Sequence, residues 1–165
     1  MNKIGLLLSE LHDAETDLAS EFRAVADRQA ADHGTHYTCL TLAQQCDAHA
    51  ARVREAADRH AKGLSEPHES QTLATALGAI RHKTSELVGR RPQSGLLLLR
   101  DLRKLYLMAE AVNVHWILLG QVAQAVQDPG LLDEVTVLHK ETLTQIKWLK
   151  TRLKEAAPQV LATSD

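Results

Sequence analysis

Aromatic residues are scarce in this chain. Its 165 residues include one Phe, two Trp and two Tyr, 3% in all. Stacked rings cannot fill the interior, so Ala and Leu, both strong helix formers, must fill it. Cysteine is scarcer still. Two thiols cannot supply the framework that staples small secreted domains, and they read as reduced groups in a cytoplasmic protein. Charge is nearly balanced: 19 Lys and Arg against 21 Asp and Glu give a formal net charge of -2. Such a chain has no strong field to draw in nucleic acid. Arg90-Arg91 and the Lys147, Lys150, Lys154 spacing read as solvated helix surface. No apolar run approaches the ~20 residues of a membrane span. The stretch before Glu10 is too brief for a signal-peptide core. Proline is rare too, and all four residues (Pro67, Pro92, Pro129 and Pro158) fall at breaks in the pattern.

What is present is helical periodicity. Ile4, Leu8, Leu11, Glu15, Leu18, Phe22, Val25 and Gln29 advance by alternating fours and threes, which is one helix face from about Asn2 to Asp32. Gly34 breaks it, and Thr35 is the expected cap of a second helix running to about Lys62. The seam of that helix is Cys39, Leu42, Cys46, His49, Val53, Ala56 and His60. Cys39 and Cys46 lie about 10 Å apart along the axis, too far for a disulfide within the helix. A crossover of roughly thirty residues follows, far longer than an ordinary helix connection. A short helix is expected in it from Ser70 to Val88, stopped by Gly89 to Pro92.

The third helix, from about Gly95 to Gln127, is apolar on Leu98, Leu102, Leu105, Ala109, Val112, Trp116, Leu119, Ala123 and Val126. Leu97, Leu99, Tyr106, Met108 and Ile117 widen that seam. A helix of such girth is expected to be covered on several sides, by the crossover, by a second copy in a homodimer, or by both. Asp128-Pro129-Gly130 turns the chain into a fourth helix. Its expected inward residues are Leu132, Val135, His139, Thr142, Ile146, Leu149 and Leu153, with Pro158 ending it and a flexible tail over 159–165. The expectation is one all-α domain over residues 1–158. Short connections join the first and last pairs of helices, and a long crossover joins the middle pair.

Polar residues on apolar seams are the informative ones: Glu15, Cys46, His49 and His139, with Glu110 beside the third seam. A buried carboxylate is costly unless paired or bound to metal. Here the chain resembles the ferritin-like four-helix bundles, whose di-metal site takes one Glu from each of two helices and Glu-x-x-His from each of the others. The resemblance spans nearly the whole chain as architecture. By that resemblance Glu15 stands for the first Glu, His49 and His139 for the two imidazoles, and Glu110 for the third-helix carboxylate. Both bridging carboxylates are replaced: Cys46 precedes His49 by three residues, and Thr136 precedes His139. Two adjacent hard cations need several anionic oxygens.

Three readings follow. In the first, the chain is a ferritin-like binding or structural module rather than a di-iron enzyme, with Cys46 a small buried hydrophobe and Glu15 paired with a histidine. In the second, Glu15, Cys46, His49 and His139, with Glu110 nearby, hold a single zinc or copper ion. In the third, an oxidase or iron-storage protein survives with iron ligands from Glu21, Asp47 or Glu141, residues that otherwise read as solvated faces. A small-ligand pocket between Ala- and Leu-rich seams is also compatible with the pattern.

Overall fold

The computed structural model describes residues 3–62 and 94–162. They form four helices: α1 (Lys3–Arg28), α2 (His33–Lys62), α3 (Ser94–Ala125) and α4 (Pro129–Leu161). The short helix expected over 70–88 lies outside the described residues. Among those residues no helix is long and apolar enough to cross a membrane.

Each helix buries the stripe its periodicity marks. α1 contributes Leu8, Leu11, Leu18, Phe22 and Val25, and α3 contributes Leu102, Leu105, Val112, Trp116 and Leu119. α2 offers small residues at Cys39, Ala43, Cys46, Ala50 and Ala56. Small side chains let two helix axes approach, and α1 packs more intimately on α2 than on any other helix.

Side-chain pairs fix the directions. Going up α1, Glu15 meets Trp116, Glu21 meets Lys104 and Arg28 meets Asp101, so α1 and α3 are antiparallel. Arg23 pairs with Asp47 and Glu15 with His49, which makes α1 and α2 antiparallel. Asp32, Cys46, His49, Arg59 and His60 meet Arg152, Gln145, Glu141, Glu134 and Asp128 in turn, so α2 and α4 are antiparallel as well. Helices α2 and α3 therefore run parallel across the diagonal. The end of α2 and the start of α3 lie at opposite ends of the bundle.

Local chemistry sets the helix ends. Asp32, rather than the expected Thr35, caps α2. Its carboxylate accepts from the Thr35 N–H at 3.1 Å and the Thr35 hydroxyl at 2.8 Å. Thr35 lies inside the first turn and is buried, so the free carboxylate ahead of the helix takes the orphan donor. Arg152 of α4 reaches the same turn, 2.9 Å from Asp32 and 3.1 Å from the Thr35 hydroxyl. Burial would raise the Asp32 pKa; the Thr35 hydrogen bonds and Arg152 outweigh it and hold the group low. Between α3 and α4, Gln127 adopts φ 54, and the Asp128 N–H bonds back to Ala123 O at 3.0 Å. That is a left-handed helix stop made without glycine. Asp128 then caps α4, accepting from Leu131 N–H at 2.9 Å, with Pro129 in the first helical turn. α4 continues through Pro158 to Leu161, three residues past the expected stop. It is already in its last turn there, where one lost N–H bond costs little.

Candidate functional site

The backbones of α2 and α4 approach each other least of the four neighbouring pairs. Polar side chains bridge the gap. Glu134 of α4 accepts Arg59 at 2.7 Å and lies 2.8 Å from Arg52; Gln145 donates to Gln45 at 2.7 Å. A cavity of about 10 Å³, about the volume one water needs, lies beneath Arg52 and Glu134 against Val53 and Trp116.

Under this seam is the polar centre of the bundle. Glu15 and His49 are both fully buried. His49 Nδ1 lies 3.0 Å from Glu15 Oε1, and Nε2 lies 2.7 Å from Glu141 Oε2. Trp116 donates its indole N–H to the same Glu15 oxygen at 3.1 Å, with its ring edge-on to the imidazole at 6.0 Å. Two carboxylates can both be satisfied by one imidazole only if both ring nitrogens carry protons. Burial would depress the His49 pKa; hydrogen bonds and charge from Glu15, then from Glu141, outweigh it and raise it above the ordinary histidine value. Glu141 is 43% exposed, so it links a sealed ion pair to solvent. Glu15 Oε2 is buried without a hydrogen-bond partner.

Cys46 stands one turn from His49 and is fully buried. Its Sγ lies 3.7 Å from the Gln145 amide oxygen and 3.6 Å from the amide nitrogen. Burial first, and then the charge of Glu15, push this thiol far above its ordinary pKa. Burial pushes Cys39 up to about 12. Neither group is the thiolate that nucleophilic or redox chemistry requires.

Of the residues singled out from the sequence, Glu15, Cys46 and His49 come together. His139 and Glu110 do not join them. His139 Nε2 lies 2.6 Å from Asn113 Oδ1, and Asn113 donates to Glu110 at 2.9 Å. Burial lowers the His139 pKa. This second cluster borders a groove of about 290 Å³ on the outer side of α3 and α4, where Thr136 is exposed and spends its hydroxyl on Leu132 O. The buried register of α4 runs Leu131, Val135, Thr142, Gln145, Leu149. His139 lies one residue beyond the half-buried Leu138, which rotates it about 100° off that line.

Two participants carry no site role in the sequence: Trp116 reads as packing and Gln145 is unmarked. Glu141, expected only as an iron ligand of the third reading, pairs with His49 instead. Each lies on or next to a seam position, which is the one signal available. Asp101 is a further polar exception, on α3. It is buried and holds Arg28 at 3.1 and 3.2 Å and Gln29 at 3.0 Å.

A di-metal pair does not fit this donor set. The two carboxylates lie on opposite nitrogens of one imidazole and cannot converge on a shared ion. Among the described residues no group of three or more His, Cys, Asp or Glu side chains is arranged to hold a metal. Fold and centre together define an antiparallel four-helix bundle with a carboxylate, imidazole, carboxylate array inside. Compared with known proteins, the chain matches no family model, no curated protein and no solved structure.

Proposed function

We propose that the chain is a ferritin-like bundle of the binding or structural kind, in which an internal ion-pair array stands where its relatives in architecture keep metals. The observation that carries this reading is His49 between Glu15 and Glu141, with both ring nitrogens engaged. An imidazole in that state has no lone pair for a metal or a substrate proton. Cys46 supports the same reading, because its raised pKa leaves it a packed thiol. The array ties α1, α2 and α4 together at mid-bundle, and Trp116 adds α3. Such a group specifies which helices face one another even where it adds little net stability.

A second reading has one observation in its favour. Glu15 Oε2 is buried and unpartnered, with Cys46 and His49 beside it. A single zinc or copper ion would take up that oxygen, the thiolate and His49 Nδ1, after the His49 proton and the thiol proton leave. His139 would have to break from Asn113 to complete the set.

Metal analysis of untagged protein, both as purified and after incubation with zinc and gel filtration, separates the two. The first reading expects metal well below one ion per chain, unchanged in Cys46→Ala and His49→Ala. Stoichiometric zinc or copper that both substitutions abolish would establish the second. Two irons per chain would restore an oxidase or storage function.

A further inference from the structure

Among the described residues the four helices pack as two hairpins. α1 lies most intimately on α2, and α3 on α4; the hairpins then meet along α1 and α3, and least along α2 and α4. Those last two contacts are opposite faces of the bundle, and they are built differently. Across α1 and α3 run two buried ties, Trp116 to Glu15 and Gln29 to Asp101. Across α2 and α4 run Arg52 and Arg59 to Glu134 and His49 to Glu141, each pair with one partner about half exposed. Water screens pairs of that kind, and they hold little. The one-water cavity beneath Arg52 and Glu134 lies on this same face.

We infer that the α2–α4 face is a mouth over the polar centre: the α1–α2 hairpin swings away from the α3–α4 hairpin about the α1–α3 contact, and Glu141 is the latch. Opening parts Glu141 from His49 and Gln145 from Cys46 and lets water reach both. Glu15, His49 and Cys46 stay together, because one hairpin carries all three. The helices keep their own backbone hydrogen bonds, so the motion breaks only what joins α2 to α4. Faces with few close contacts and exposed polar bonds are the ones that open first. The inference stands on how the helices pack and goes beyond both readings of the centre's chemistry.

Cys46 reports the motion. Closed, it is fully buried, and burial and then Glu15 keep it a thiol. Disulfide reagents are attacked only by thiolate, so labelling counts openings. The test uses the full chain with Cys39→Ala, which leaves Cys46 as the one thiol. An aromatic disulfide reagent is added at neutral pH, and the coloured thiolate it releases is followed. Cys46 should label at least about tenfold faster than the global unfolding measured by urea on the same variant allows. The rate should depend on urea with less than about half the global slope, since opening exposes only one face. Adding Glu134→Ala, on the mouth, should raise the rate roughly fivefold. Adding Asp101→Asn, on the hinge, should lower the urea midpoint and leave the rate within about twofold. Peptide mass analysis of labelled wild type gives the same reading without Cys39→Ala. Labelling no faster than global unfolding allows overturns the inference. So does a rate that Glu134→Ala leaves unchanged, or one that climbs with Asp101→Asn in step with the lost stability.

Discussion

His49→Ala removes the cation and leaves Glu15 buried against Trp116 alone. Breaking one side of a buried pair costs about 3–5 kcal/mol, and urea unfolding should show a loss of that size. Glu15→Leu combined with His49→Leu removes both charges and should recover most of it. Glu141→Gln should cost no more than about 1 kcal/mol, because water screens a half-exposed carboxylate. The pH dependence follows from the direction of the shift. Folding raises the His49 pKa, so its contribution is complete below the unfolded value of about 6.5. It is lost as pH rises through the folded value. His139 is shifted down, so its contribution is present above about 6.5 and is lost as pH falls through its folded value. In the wild type, urea midpoints should therefore fall as pH rises above the ordinary histidine range and also as it drops below that range. The His49→Gln variant should lose that alkaline slope and keep the acid one.

Helix ends and registers carry the next scale. Gln127 sits in the left-handed region, so Gln127→Gly should stabilise by roughly 0.5–1 kcal/mol. Asp128→Ala removes the α4 cap and should cost about 1 kcal/mol; thermal melts of both variants check these signs. The element scale also shows what the sequence made legible. Leu8, Leu11, Glu15, Leu18 and Phe22 are buried as their spacing requires, as are Cys46, His49 and Val53 on α2. On α4 two registers were equally apolar, one through Leu131 and Leu138 and the other through Leu132 and His139. A single residue separates them, and only contact with α2 and α3 decides. The pairing of Glu141 with His49 is illegible for a related reason. It flanks the seam, and it reaches His49 because α2 and α4 stand far enough apart to admit a long side chain. Asp32 took the cap from Thr35 through a one-turn difference that periodicity does not resolve.

At the scale of the molecule, the α2–α4 face is the one where the backbones stand farthest apart, and polar side chains bridge it. Glu134 serves both Arg52 and Arg59 there. Glu134→Ala should cost about 1 kcal/mol, the worth of two screened pairs, and the loss should shrink in high salt. The array beneath ties all four helices to one imidazole, which is why its protonation state stands for the whole reading. Nitrogen-detected NMR of the His49 ring in untagged, metal-free protein at neutral pH tests that state most directly. Both ring nitrogens protonated, with the signal titrating above the ordinary histidine range and unmoved by stoichiometric zinc, is the predicted result. A ring with one unprotonated nitrogen, or a signal that zinc shifts, would contradict the account.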